Sequence, residues 1–218
     1  MVRERGAYPG DTGRVVAGGD EARFLERSGE RSLAHPRVWS LVPPACARLV
    51  RMLIVFGGLP GVGKTALARA VTERLGAAYL RVDAIEAALW RAGVARDQPT
   101  GLAAYVVAHS VAEGSLAAGA VVVVDAVNPV EAARRGWRDL AQRVAKPLRV
   151  IEVICLDESE HRRRVESRTA DLDGHTVPTW SDVQEREYEP WDEPRLTVDT
   201  AIASRTECLS QVLGYVAA

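Results

Sequence analysis

Residues 58–65 read Gly58-Leu59-Pro60-Gly61-Val62-Gly63-Lys64-Thr65, and the interpretation of the whole chain starts from this octapeptide. It matches the phosphate-binding pattern G-x-x-x-x-G-K-[ST] in full. The apolar run 52–56 precedes it, and residues 65–75 follow with apolar side chains at helical spacing. A glycine-rich turn between a strand and a helix lets backbone N–H groups surround a phosphate. The segment therefore predicts a β-loop-α unit that binds a phosphate group.

The chemistry of this pattern assigns roles to its residues. Lys64 is expected to reach the β- and γ-phosphates of a nucleotide, and the Thr65 hydroxyl is expected to bind Mg²⁺. The loop and the first turn of the helix supply N–H donors. The predicted nucleotide-binding residues are Gly58, Leu59, Pro60, Gly61, Val62, Gly63, Lys64, Thr65 and Ala66. ATP and Mg²⁺ are the expected ligands, and the alternative is a glycine-rich turn with an exposed lysine.

A second metal anchor is expected at the end of a strand beside the loop. Four valines at 121–124 predict a parallel strand buried on both faces, and Asp125 follows them directly. Asp125 is therefore the candidate Walker B carboxylate that binds Mg²⁺, with a helix cap or turn residue as the alternative. Asn128, three residues on, is predicted to face the same crevice, although a purely structural role is equally compatible with the sequence.

Beyond residue 52 the sequence alternates between strand and helix patterns. Strands are predicted at 52–56, 79–82, 121–124, 148–156 and 196–198, and helices at 65–75, 85–92, 102–118, 130–144 and 159–168. Ser181 with Gln184 and Ser204 with Glu207 each predict a capping box that opens a further helix. The polar stretch 169–179 predicts a loop or lid. The expected fold is a three-layer α/β P-loop domain with a parallel sheet of about five strands, a short lid and a flexible N-terminal extension.

Residues 1–51 differ in composition from the remainder. They are rich in Arg, Gly and Pro and carry no apolar period of useful length. We interpret them either as a flexible extension or as a start assigned too early, with Met52 as the natural first residue; a packed or regulatory role is a third reading. The predicted domains are thus the extension at 1–51 and a P-loop domain at 52–218.

Composition excludes several classes of protein. The formal net charge is −1, so no overall field attracts the chain to nucleic acid or to an anionic membrane. Three scattered cysteines do not make a disulfide framework or a zinc cage. The longest uninterrupted apolar stretch, 116–124, is too short to cross a bilayer. We expect a cytoplasmic protein, monomeric or homodimeric, that has no membrane partner and does not use nucleic acid as its main partner.

Together these motifs resemble a known family. The phosphate loop, the position of Asp83, the VVVVDAVNP stretch at 121–129, the Arg-rich segment 161–168 and the ending from Tyr188-Glu189-Pro190 to Val198-Asp199-Thr200 resemble the small P-loop kinases. Proteins of this type are often grouped loosely with AAA-family ATPases and are similar to chloramphenicol phosphotransferase and to zeta-toxin-like, gluconate and adenylylsulfate kinases. The resemblance covers about residues 52–215.

The resemblance implies further site residues. Two arginines four apart before the lid, Arg164 and Arg168, would contact the adenine region and the transferring phosphates, with a solvated basic face as the alternative. Asp83 would accept the proton of the substrate hydroxyl, and with Glu86 it also fits a helix cap. The predicted catalytic residues are then Lys64, Asp83 and Arg168. The adenine-contacting loop would lie near 200–204.

The expected function is an ATP- and Mg²⁺-dependent phosphotransferase that moves the γ-phosphoryl group to a hydroxyl of a small molecule. Two alternatives stay open. One is a nucleotide-switched ATPase or regulatory protein, and the other is a toxin-like or polynucleotide kinase. The negative charge of residues 52–218 disfavours the polynucleotide case.

Overall fold

The computed structural model describes residues 51–218. The predicted alternation of strands and helices is confirmed there. The strands are β1 (Leu53–Gly57), β2 (Ala78–Arg81), β3 (Val122–Asp125), β4 (Leu148–Ile154) and β5 (Leu196–Asp199). The helices are α1 (Lys64–Leu75), α2 (Val82–Arg91), α3 (Thr100–Ala117), α4 (Glu131–Arg143), α5 (Glu158–Glu166), α6 (Trp180–Gln184) and α7 (Arg205–Ala217). Apart from Arg51, the extension predicted for residues 1–51 lies outside the described residues.

The five strands form one parallel sheet in the order β2-β3-β1-β4-β5. β1 lies at its centre, and Phe56 near the end of β1 is in register with Asp125 at the end of β3. All strands run in the same direction, so the segments that follow them meet at one edge of the sheet. This arrangement confirms the predicted α/β fold and places the loop after β1 beside the end of β3.

The side chains of β1 alternate between two apolar clusters. Ile54 and Phe56 pack with α1 and α7 on one face, whereas Leu53 and Val55 pack with α3 and α4 on the other. All four of these side chains are buried. Burial on both faces fixes the position of the strand, and hence the point where the phosphate loop begins.

Helix α3 packs closely on the sheet through small side chains. Ala104, Ala108 and Ala112 are spaced four residues apart on one face and are fully buried. Leu102 and Val106 lie on the opposite, exposed face. None of the helices in residues 51–218 is both long and apolar enough to cross a membrane.

The predicted helix caps are partly right. Ser204 and Glu207 form the predicted capping box at the start of α7. At α6 the prediction is wrong, because the helix begins earlier than the sequence pattern suggested. Thr179 is the N-cap there and forms a capping box with Asp182, so Ser181 lies inside the helix. The pairs Thr179–Asp182 and Ser181–Gln184 both match a cap pattern. In the first pair, which forms, each side chain accepts a hydrogen bond from the backbone N–H of the other residue.

A buried arginine fastens the return segment 188–191 to the sheet. The guanidinium of Arg134 donates hydrogen bonds to the carbonyl oxygens of Asn128, Pro129, Glu189 and Pro190 at 2.6–3.0 Å. It also stacks on the ring of a buried tryptophan at 191, 4.1 Å from the ring centroid. This tryptophan in turn lies where a side chain on Gly57 would have to go. Arg134 therefore supports the entrance to the phosphate loop.

We expect Arg134→Met to lower the free energy of unfolding by about 3 kcal/mol, because it leaves one buried and three partly buried carbonyl oxygens without a charged donor. Arg135→Met, the same change at an exposed neighbour, should stay within about 0.5 kcal/mol of the parent. Urea unfolding of the three proteins measures both values. Equal stability of the two variants would contradict the role given to Arg134.

Candidate functional site

The loop after β1 is compressed between neighbouring segments, which explains its glycines. Gly58 has φ 139° and Gly61 has φ 86°. A Cβ on Gly58 would lie 2.2 Å from the Val153 carbonyl oxygen, and one on Gly61 would lie 2.5 Å from the Val165 side chain. Any other residue would push the loop away from β4 or from α5. The close approach therefore requires glycine at both positions.

The loop leads into a helix N-terminus that no side chain caps. Gly63 is the N-cap of α1, in the left-handed conformation and without a side-chain hydrogen bond. The first N–H groups of a helix are free donors and carry partial positive charge. The side chain of Lys64 is buried, and it forms no salt bridge with any residue between 51 and 218. A buried cation next to free N–H donors is an arrangement suited to an anion.

A cavity of about 260 Å³ opens at this N-terminus. It is lined by Gly61, Gly63, Lys64, Thr65, Ala66, Arg69, Arg164, Arg168 and Asp171. Five of these residues belong to the predicted loop and the first turn of its helix, and two are the predicted arginines. Leu59 and Val62 point elsewhere, because Leu59 packs against the apolar cluster of α1 and α7, and Val62 is a buried member of it.

Asp125 ends β3 as predicted and is buried. Its Oδ2 accepts a hydrogen bond from the Tyr79 hydroxyl at 2.8 Å and lies 3.9 Å from Nε of Arg81. Burial, with the nearby Asp125 carboxylate, raises the pKa of Tyr79 well above its ordinary value, so the hydroxyl remains a proton donor. The Tyr79 hydrogen bond and the Arg81 contact thus hold the Asp125 carboxylate in a fixed orientation at the end of β3.

These groups fit a magnesium site of the kind that also uses phosphate oxygens. Within residues 51–218 there is no cluster of three or more His, Cys, Asp or Glu side chains that could enclose a metal. Mg²⁺ is usually bound through one or two carboxylates, with waters and substrate phosphates as the other ligands. The carboxylate of Asp125 and the hydroxyl of Thr65, next to the lysine of the loop, are oxygen donors of this type.

Asp83 does not cap a helix. α2 begins at Val82 rather than at Ile85, with Arg81 as its N-cap and no side-chain cap. Asp83 therefore lies in the first turn of α2, and the prediction that it ends the strand is wrong by two residues. Glu86, its predicted capping partner, instead accepts a hydrogen bond from another side chain. The carboxylate of Asp83 is therefore not used in a helix cap, and it lies 3.6 Å from the guanidinium of Arg81.

A second cavity of about 210 Å³ adjoins the first. It is lined by Pro60, Lys64, Asp83, Glu86, Trp90, Val127, Arg168, His175, Thr176, Pro178 and Arg186. Lys64 and Arg168 belong to the lining of both cavities. The cavity at the start of α1 and the cavity that contains Asp83 thus meet at two shared cations.

The segment after α5 covers this second cavity. Arg91 donates to the Asp173 carbonyl oxygen at 3.0 Å, and Arg96 donates to the Gly174 carbonyl oxygen. The rings of Trp90 and His175 stack with centroids 5.8 Å apart. The predicted lid is therefore a segment fastened to α2 and to the connection that follows it. Trp90 serves this attachment, because Arg96 lies over its ring at 4.1 Å.

The two predicted arginines differ in setting. Arg164 lies on α5, whereas α5 ends at Glu166 and Arg168 lies beyond its C-cap, so the two do not share one helix face as predicted. Arg164 donates to the Thr200 hydroxyl at 2.8 Å, and this hydroxyl donates to the Val62 carbonyl oxygen at 2.8 Å. This chain of contacts brings the predicted adenine-side loop next to the phosphate loop.

Asn128 does not face the crevice, contrary to the prediction. Its side-chain nitrogen donates to the Phe56 carbonyl oxygen at 3.0 Å, and its side-chain oxygen accepts from Nε1 of Trp137 at 2.9 Å. The side chain is fully buried and the backbone has φ 51°, a conformation that asparagine tolerates better than most residues. Asn128 is a structural residue that joins β1 to α4.

An ionic cluster at this site was not predicted from the sequence. The guanidinium of Arg81 binds Asp171 through two hydrogen bonds, at 2.5 and 3.2 Å, and lies 3.6 Å from Asp83. Arg69 and Arg168 also contact Asp171, at 3.6 and 3.2 Å. The sequence signal for Arg81 is a charged residue that ends a strand at the same edge as Asp125. Nothing in the sequence pairs it with an acid 90 positions away.

Comparison with solved structures shows a shared fold. A gluconokinase from Sinorhizobium meliloti is similar with 22% identity and a TM-score of 0.57, over 78% of this chain and 94% of that chain. An APS kinase from Mycobacterium tuberculosis, solved with AMPPNP and APS, is similar with 22% identity and a TM-score of 0.59, over 78% of this chain and 99% of that chain. Kti12 from Chaetomium thermophilum, solved with ADP-AlF3, is similar with 21% identity and a TM-score of 0.57, over 76% of this chain and 100% of that chain.

Comparison of sequences adds the family. No curated protein gave a match to the chain. A family model described as an AAA domain matches residues 53–188, which is well over half of the chain and includes β1, the phosphate loop and the lid segment. The chain therefore belongs to this AAA-domain family and has the fold of the small P-loop kinases.

Proposed function

We propose that this protein is a phosphotransferase that moves the γ-phosphoryl group of ATP to a hydroxyl group of a small molecule. One observation carries the proposal: the cavity at the phosphate loop and the cavity at Asp83 share Lys64 and Arg168. A reaction that transfers a phosphoryl group in line needs a donor site and an acceptor site that meet at cations. The kinase fold of the chain supports the same reaction class.

On the donor side, the N–H groups of the loop and of α1 bind the phosphates, and Lys64 neutralises their charge. Arg164, held by Thr200, borders the nucleotide. Thr65 and Asp125 would hold Mg²⁺, which would supply positive charge to offset that of the phosphates. On this reading the predicted cofactor-binding and metal-binding residues act as one group.

On the acceptor side, Asp83 accepts the proton of the attacking hydroxyl. A general base must lie within hydrogen-bond reach of the hydroxyl that it activates, and Asp83 lines the cavity that adjoins the phosphates. Arg168 contacts the transferring group, since it lines both cavities. The acceptor is a molecule small enough for a cavity of about 210 Å³. Residues 52–218 contain all of these groups.

We expect Lys64→Ala to lower ATP affinity and turnover by about 100-fold, because it removes the charge that stabilises the transferring phosphate. Lys146→Ala is the matched control, since Lys146 lies before β4, at the opposite edge of the sheet. Calorimetry with ATP measures the affinity, ADP formation measures the turnover, and thermal unfolding checks that each variant stays folded. A Lys64→Ala protein that binds and consumes ATP like its parent would exclude the assignment of the loop.

The acceptor hypothesis is tested first by ADP formation in the presence of a panel of hydroxyl-bearing metabolites and antibiotics. With a stimulating compound in hand, Asp83→Asn should lower its phosphorylation by about 10²- to 10⁴-fold. ATP affinity should change much less, because Asp83 does not line the phosphate cavity. Asp139→Asn, at an exposed position on α4, is the control. Full activity of the Asp83 variant would end the general-base role.

We expect Arg168→Ala to lower turnover by about tenfold or more and to change ATP affinity much less, because charge on the phosphoryl group redistributes during transfer. The comparison is Arg162→Ala, an exposed arginine of α5 paired with Glu166. Steady-state kinetics separates kcat from KM. An unchanged kcat would contradict the catalytic role of Arg168 and favour the alternative, a solvated basic face.

The alternative function has its own outcome. ATP hydrolysis that no hydroxyl compound stimulates would favour a nucleotide-switched ATPase.

A further inference from the structure

The carboxylate of Asp171 lies at the meeting point of three arginines. Arg81 binds both of its oxygens, with Nη1 2.5 Å from Oδ2 and Nη2 3.2 Å from Oδ1. Arg168 donates to Oδ1 at 3.2 Å, and Arg69 lies 3.6 Å from Oδ2. An ordinary surface ion pair joins one cation to one carboxylate, whereas three cations surround this one.

The partners differ in how they are held. The Arg81 side chain is 2% exposed and extends from the end of β2, whereas the Asp171 side chain is 38% exposed and belongs to the irregular segment after α5. Nε of Arg81 is buried and has no hydrogen-bond partner among the described residues. The arginine is thus part of the fixed sheet edge, and the acid approaches it from outside.

The geometry around Asp171 also suits a phosphoryl group. A guanidinium binds a carboxylate and a phosphate in the same two-bond manner. Asp171, Arg69 and Arg168 line the cavity that also contains Lys64 and the start of α1. A polyphosphate in this cavity would bring negative charge close to the carboxylate, and like charges in a partly desolvated site repel strongly.

We propose that Arg69, Arg81 and Arg168 form a binding site for a phosphoryl group of the nucleotide, and that the carboxylate of Asp171 competes with this group for the site. The inference rests on the nucleotide-binding part of the proposed function. It adds Arg69 and Arg81, together with the competing carboxylate, to the nucleotide-binding residues of the proposed function. Binding of the phosphoryl group then requires the segment that carries Asp171 to move away.

Protonation does not remove the competitor near neutral pH. The hydrogen bonds from Arg81 lower the pKa of Asp171 far below its ordinary value, and Arg168 acts in the same direction. The carboxylate therefore stays charged, and exchange occurs by displacement.

The sign of one substitution separates this proposal from a simpler role. If Asp171 only fastens the lid over a bound nucleotide, Asp171→Asn should weaken binding. If Asp171 competes with the phosphoryl group, the same change should strengthen binding, because asparagine keeps the shape but loses the negative charge. Asp173→Asn is the matched control: Asp173 is two residues away, is exposed, and gives its backbone carbonyl to Arg91.

The experiment measures the affinity of the full chain for a non-hydrolysable ATP analogue and for ADP by calorimetry. Asp171→Asn should bind the analogue about tenfold more tightly than the parent, which corresponds to about 1.4 kcal/mol of relieved repulsion. Asp173→Asn should match the parent. Adding Arg69→Gln to Asp171→Asn should reverse part of the gain. If only the ATP analogue binds more tightly, the arginines bind the γ-phosphate. If ADP gains affinity equally, they bind the β-phosphate.

Equal or weaker binding by Asp171→Asn would overturn the inference. If the parent binds ATP and Lys64→Ala abolishes this binding, such a result removes the competitor alone and leaves the proposed function standing. If neither the parent nor Asp171→Asn binds either nucleotide, both proposals fail together.

Discussion

The guanidinium of Arg81 lies out of solvent at the carboxyl edge of the sheet, and a buried cation is stable only where acidic groups compensate for its charge. Asp125 from β3, Asp83 from α2 and Asp171 from the segment after α5 supply this compensation. Three parts of the chain are thereby drawn to one point beside Lys64. The acids of the candidate site are therefore ordered by a charge balance in addition to the apolar packing of the sheet.

The phosphate loop is held from several sides, so its N–H groups have a defined direction before any ligand binds. The carbonyl oxygen of Pro60 lies 2.8 Å from Nε2 of the buried His161, and that of Val62 accepts from Thr200. Gly58 lies directly against the backbone of β4. Donors fixed in advance cost no reorganisation when charge develops on a ligand, and this property makes such loops effective in phosphoryl transfer.

The sequence predicted the parts of this architecture that depend on local pattern. Apolar runs identified the five strands, and the octapeptide with the valine run before Asp125 located the phosphate loop and the buried acid. The errors arose where contacts between residues far apart in the sequence determine the structure. Arg168 was placed on α5 because its spacing from Arg164 is helical, yet the helix ends first. Arg81 and Asp171 were missed because no local pattern connects residues 90 positions apart.

The helices that support the two adjoining cavities pack on opposite faces of the sheet. The phosphate loop follows β1 and Thr200 follows β5, with α1 and α7 packed on that face of the sheet, whereas Asp83 and Trp90 belong to α2, which packs with α3 on the other face. Substitutions in one layer therefore leave the core of the other intact. For the phosphotransferase that we propose, this division means that substitutions in α2 and the segment it binds can change the preference for an acceptor while the phosphate loop is retained in evolution.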